Sequence, residues 1–154
     1  MKILVTNDDG IYSSGIFALW DVAKEFGDVN VIAPANEKSA VGHGITILNP
    51  IFVREIDRED GFKGLAVSGT PADCVKIGMK SLLPFSPDLI LSGINSGSNL
   101  GNNIIYSGTV AAAIEGATLN IPSIAISVNS FEPRDFSTSK IVVRKVINFM
   151  ENNT

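Results

Sequence analysis

Short apolar runs of strand length recur along this chain, each followed by a Gly/Asn/Ser/Pro-rich loop and then by a helical pattern. That alternation constrains the fold more than any other feature. Residues 2–6 (KILVT) read as a buried strand. The loop from Asn7 to Ser14 leads into a helix over residues 15–26, where Ile16, Leu19, Trp20 and Ala23 share one face and Gly27 stops it. Residues 29–33 form the second strand, ending at Pro34. Residues 45–56 and 64–68 read as strands on either side of Asp60-Gly61, a hairpin turn signal. Thr70 then caps a helix that has Pro71 at its first position and Asp73 in its first turn. Residues 88–93 are a strand, 94–107 a long polar loop, 109–118 a helix, 122–128 a strand and 141–150 a closing amphipathic helix.

Strands alternating with helices imply parallel βαβ units with right-handed crossovers. Continuously apolar strands fit a sheet covered on both faces. The expected fold is therefore a three-layer α/β/α Rossmann-like sandwich over residues 1–154, a single domain. Its parallel strands take the order 3-2-1-4-5, with an antiparallel hairpin strand at one edge.

The net charge of −4 argues against electrostatic capture of a nucleic acid polymer, which needs a basic face. It leaves room for one small phosphorylated substrate if a metal supplies positive charge locally. One cysteine, Cys74, excludes an internal disulfide and suits a reducing compartment. The N-terminus turns acidic too soon for a signal peptide, and the longest apolar stretches are strand-length. The expected setting is the cytoplasm, with no membrane partner.

In sheets of this kind ligands bind beyond the carboxyl ends of the strands, where the strand order reverses. That point lies between the first and fourth parallel strands, and the loops following them are the most polar in the chain. The first carries Asp8-Asp9. Adjacent carboxylates raise each other's pKa unless a cation neutralises them, and at the crevice a metal is the expected reason for the pair. The second loop carries Asn95 and Asn99 among Gly93, Gly97 and Gly101. Their amide oxygens are hard ligands suited to Mg²⁺, Mn²⁺ or Ca²⁺. Ser107-Gly108-Thr109 opens a helix whose free N–H groups suit a phosphate, although the spacing equally suits capping by Ser107 or Thr109. In the loop after the second strand, Ser39 offers a hydroxyl to a metal and His43, the single histidine, a proton, although a lone loop histidine is more often simply solvated or hydrogen-bonded.

Other chemistries are excluded by what they require. One histidine and no G-x-S-x-G elbow leave no nucleophilic triad. Neither G-x-x-x-x-G-K-[ST] nor a G-x-G-x-x-G after the first strand is present. A receiver-like Mg²⁺-binding signalling domain also places paired acids after its first strand. It further needs an Asp ending strand three and a Lys ending strand five, where this chain has Val67-Ser68-Gly69 and Ser127-Val128-Asn129.

Taken together, the stretches Thr6-Asn7-Asp8-Asp9-Gly10, Ser39 with Gly42-His43, Ser68-Gly69-Thr70-Pro71-Ala72-Asp73-Cys74, Ser92-Gly93-Ile94-Asn95 with Gly97, Asn99 and Gly101, Ser107-Gly108-Thr109-Val110, Glu115-Gly116 and Ile121-Pro122-Ser123-Ile124-Ala125 closely resemble the SurE family. These survival proteins E are metal-dependent 5′/3′-nucleotidases. The resemblance implies one divalent ion per chain, Mg²⁺ or Mn²⁺, held by Asp8, Asp9, Ser39 and Asn95. It implies Asp8, Asp9 and Asn95 as the catalytic set, with Asn99, Ser107, Gly108 and Thr109 beside the phosphate. It further implies hydrolysis of nucleoside monophosphates, with short polyphosphate degraded by some members, in a cytoplasmic dimer or tetramer. Family members continue well past Thr154. The chain is accordingly expected to lack a C-terminal region, as a truncated version or a natural short form, and a truncated form that binds metal without turnover is the third alternative.

Overall fold

The structure, a computed structural model, describes residues 1–58, 60–131 and 135–152. The chain runs β1 (Lys2–Thr6), α1 (Ser14–Ala23), β2 (Asp28–Pro34), β3 (Val53–Asp57), β4 (Lys63–Val67), α2 (Pro71–Ile77), β5 (Leu89–Ser96), α3 (Gly108–Thr118), β6 (Ser123–Val128) and α4 (Ser137–Glu151). A π-helical turn, Gly78–Leu82, continues α2, and a 3₁₀ helix, Gly101–Tyr106, precedes α3.

The six strands form one sheet in the order β3-β4-β2-β1-β5-β6. Only the β3–β4 pair is antiparallel. The five parallel strands taken alone follow the expected 3-2-1-4-5. The six-strand order reads differently because the hairpin strand β3 also takes a number. Alternation along the central strand assigns its side chains to two cores. Ile3 and Val5 meet Leu19 and Trp20 of α1 and Val143 and Ile147 of α4. Leu4 joins Ile32 and Ile90 under Cys74 and Val75 of α2 and Ala112 of α3. The result is the expected three layers.

Each helix end has a local cause. Ser13 caps α1 by accepting from the Ile16 N–H, and Thr70 forms a reciprocal capping box with Asp73 on α2. The first helix ends at Ala23, three residues before the expected end. The last begins at Ser137, four residues early, because an Asp135 carboxylate oxygen accepts from both the Ser137 N–H and its hydroxyl. Lys140 and Arg144 then bind Asp21 of α1 and Glu25 of the turn that follows it, the Arg144 pairing being bidentate.

Two expected elements are corrected. Of residues 45–56, only the last part is strand, and the ladder to β4 starts at Val53. Asn49-Pro50 interrupts the run, since proline has no N–H to give a ladder. Ile47 and Leu48 accordingly lie 78% and 93% exposed. The polar loop 94–107 is also shorter than expected. β5 continues to Ser96 through a bulge between Ser92 and Asn95, and Gly101–Tyr106 is helical. Gly93 makes that bulge possible: its φ is +132°, and a Cβ there would stand 2.3 Å from the Ile126 carbonyl oxygen.

Candidate active site

Thr6 of β1 pairs with Ser92 of β5, so the loops that follow these neighbouring strands leave the sheet side by side. Between them lies a cleft of about 540 Å³. It is lined by Asp8 and Asp9 from the first loop, Ser39 from the loop after β2, Asn95 at the end of β5, Asn99 and Ser107. Six of the eight candidate site residues thus share one cavity at the switch point.

Local structure places each group. Asn7 donates its amide to the Gly10 carbonyl and the Ser13 hydroxyl, at 2.9 and 2.8 Å, which folds the acidic loop onto the start of α1. Asp8 is held by its backbone, whose carbonyl accepts from Lys38 N–H at 2.8 Å. Its buried carboxylate accepts from the Thr109 hydroxyl. Gly108 lets α3 come this close, because a Cβ there would stand 2.8 Å from the Asp8 Cβ. Asp9 is half-buried and accepts from the Ser96 N–H at 3.2 Å. The Asn95 amide nitrogen donates to the Gly97 carbonyl at 2.7 Å. With the nitrogen so engaged, the oxygen is the atom of this cleft-lining amide that a cation would use.

Both acids are set against their charged forms. Burial pushes the Asp8 carboxyl up, although hydrogen bonds from Thr109 and the backbone N–H of Gly108 pull the other way. Burial also raises Asp9; Ser96 opposes this, while the charges of Asp8 and Glu37 add to it. A cation between these oxygens would relieve that cost. The donor set suits such an ion: two carboxylates, a hydroxyl and an amide oxygen are all hard ligands. Among the described residues no three His, Cys, Asp or Glu side chains form a cage. A cation here would therefore lean on the neutral oxygens of Ser39 and Asn95.

The candidates expected beside the phosphate, and His43, each hold a partner within the protein. Ser107 is the N-cap of α3, accepting from Val110 N–H at 3.1 Å. Gly108 and Thr109 are buried beneath Asp8 and direct their donors at it. The positive end of α3 thus addresses a carboxylate. His43 is not part of the cleft lining: its Nε2 lies 2.8 Å from Glu115 on α3. Asn99 donates to the Ser127 hydroxyl at 2.8 Å.

The cleft contains further groups that sequence reasoning missed. Glu37 lines it, accepts from the Ser39 hydroxyl and adds negative charge beside Asp9. Its place two residues before Ser39, in the loop following a strand next to the switch point, was the available signal. Tyr106 and Phe131 also line the cleft, yet are 62% and 84% exposed. Nothing in their spacing marks them.

The family model described as "Survival protein SurE" matches residues 3–154. A 5′-nucleotidase SurE of Syntrophobacter fumaroxidans is 53% identical over 137 residues, covering 89% of this chain and 55% of that protein. The 5′-nucleotidase SurE of Syntrophus aciditrophicus is 49% identical over 150 residues, covering 97% and 56%. The crystal structure of a SurE protein from Aquifex aeolicus superposes with a TM-score of 0.88 at 44% identity, over 99% of this chain and 60% of that one. The chain therefore spans little more than half the length of these curated relatives.

Proposed function

The chain belongs to the SurE family, and from that membership and the cleft we propose that it releases phosphate from nucleoside monophosphates with the help of one divalent cation, Mg²⁺ or Mn²⁺. One observation carries this reading: Asp8, Asp9, Ser39 and Asn95, oxygen donors from three separate segments, line a single cleft at the switch point. The relatives named 5′-nucleotidase SurE support the choice of ester. Short polyphosphate, which ends in a similar phosphate, is a further expected substrate.

When bound, the cation supplies positive charge against the phosphate and acidifies a water for in-line attack. Asp8, fixed by Thr109 and by the N-terminus of α3, serves as the immobile anchor of the site. Asp9 is the more exposed of the pair and orients the attacking water through a carboxylate oxygen. Ser107 accepts at its cap, which leaves its O–H free to donate to a phosphate oxygen. Asn99 stands on the same wall and donates its second amide hydrogen. Tyr106 and Phe131 offer ring faces on which a base can stack.

The test is phosphate release across a panel of 5′- and 3′-nucleoside monophosphates, with Mn²⁺ and with chelator. Metal-dependent release is expected, and Asp8→Asn should abolish it while the protein still unfolds cooperatively. Wild-type turnover by purified Asp8→Asn in excess Mn²⁺ would sink the metal role.

A further inference from the structure

The loop between β2 and β3 carries Ser39 into the cleft in a costly backbone conformation. Ala40 also lines the cleft, with φ +55°. A residue bearing a side chain holds that left-handed geometry only where surrounding contacts over-determine it. These contacts are present on both sides. Lys38 N–H donates to the Asp8 carbonyl at 2.8 Å, and Gly42 N–H to the Tyr106 carbonyl at 3.0 Å. The Thr46 hydroxyl and N–H donate to the Asp73 carboxylate at 2.6 to 3.1 Å, and the Thr70 hydroxyl donates to the Gly44 carbonyl at 2.7 Å.

The deepest anchor is Glu115, only 5% exposed on α3. Lys76 of α2 donates to its Oε1 at 2.8 Å, and His43 Nε2 stands 2.8 Å from its Oε2. Burial alone would push this carboxyl up, but the hydrogen bonds from Lys76 and His43 outweigh it and hold the group below its ordinary value. An ionised carboxylate only accepts, so the ring must present Nε2–H to it. A buried ion pair gives little net stability against apolar side chains of the same volume. What it does provide here is a defined place for His43, four residues beyond Ser39.

We propose that the Lys76–Glu115–His43 chain is a positioning device for the cation site: rooted between α2 and α3, it holds residues 38–46 in register and so presents Ser39 to the cleft. This rests on Ser39 being a cation ligand, as in the proposed function. It assigns part of the cation affinity to side chains that never reach the cation.

Calorimetric titration of the purified chain with Mn²⁺, alongside thermal denaturation in chelator, tests this. His43→Ala should weaken Mn²⁺ binding about tenfold, the lower end for groups that support a ligand. Its Tm in chelator should stay within about 4 °C of wild type. His43→Gln keeps a donor near the Nε2 position and should recover most of the affinity. Lys76→Met makes the same test from α2 without altering any residue of the loop, and should weaken binding in the same direction. Wild-type affinity in both His43→Ala and Lys76→Met overturns the proposal. So does a loss that His43→Gln fails to recover while Tm falls in step, because the cluster would then serve folding alone. Absence of Mn²⁺ binding by the wild-type chain is a separate result, which removes the cation site itself and the proposal with it.

Discussion

Thr109, the second residue of α3, donates its hydroxyl to the Asp8 carboxylate across 101 positions of sequence. This bond opposes the burial that raises the Asp8 pKa, and it fixes one carboxylate oxygen in place. Thr109→Val keeps the volume and removes the donor. A hydrogen bond to a charged group is worth about 1.5–3 kcal/mol. Mn²⁺ affinity should fall about 10- to 100-fold, the usual consequence of losing a partner of a metal ligand. Thr109→Ser should stay close to wild type. Equal Mn²⁺ titration curves for the Val and Ser variants would show that Asp8 needs no such support.

Asp9 is raised in the same direction, with weaker opposition from hydrogen bonds. Its carboxyl is raised by burial and by the charges of Asp8 and Glu37, with the Ser96 N–H in opposition. In chelator near neutral pH the ionised side chain therefore weakens the fold. Asp9→Asn should raise Tm in chelator, by about 2–4 °C for each kcal/mol relieved in a chain of this size. Added Mn²⁺ should raise the Tm of the wild type and leave that of the variant nearly unchanged. A variant that melts below wild type in chelator would contradict that balance.

How far the sequence anticipates these relationships depends on their range. KILVT and the strand that begins with Leu89 are legible because a short apolar run bounded by turn signals fits a strand covered on both faces. The acidic pair and Asn95 are legible because strand order alone brings their loops together. The bond from Thr109 to Asp8 is not, since Ser107-Gly108-Thr109 reads equally well as a cap or a phosphate cradle until α3 is seen to approach Asp8. The same holds for Glu115 and Lys76, whose spacing in their own helices reveals nothing of their meeting. Residues 45–52 mislead for a different reason. Their apolar pattern suits a strand, but Pro50 removes a ladder donor and the run stays outside the sheet.

Acid should loosen the loop that carries Ser39. Glu115 and Asp73 both tether it: burial would raise each carboxyl, and hydrogen bonds from Lys76 and His43, or from Thr46 and Thr70, bring each below its ordinary value. A depressed folded pKa means that the ionised group adds stability above its unfolded value of about 4. That stability is lost as pH falls through the folded value. Hydrogen exchange, corrected for the intrinsic rate, should show the Thr46 and Gly42 amides losing protection as pH falls below about 4. The β1 amides should keep theirs over the same range. Glu115→Gln should shrink the effect at Gly42, and undiminished protection of both loop amides at the acid end would contradict it.

Tyr106 and Phe131 offer a test of whether the cleft recognises a base. Both rings line the cleft and both are largely exposed, so the free protein leaves apolar surface in water where a base could cover it. The Tyr106 carbonyl is tied to Gly42 N–H, which fixes the backbone under that ring. Stacking on an aromatic side chain is worth about 1–3 kcal/mol per base, or roughly 5- to 150-fold in affinity. Tyr106→Ala should therefore raise KM for AMP and GMP within that range while kcat changes little. Ribose 5-phosphate presents the same phosphate without a base, and its KM should stay near the wild-type value. An equal rise for all three substrates would place the ring in the fold of the 3₁₀ segment, with no part in base recognition.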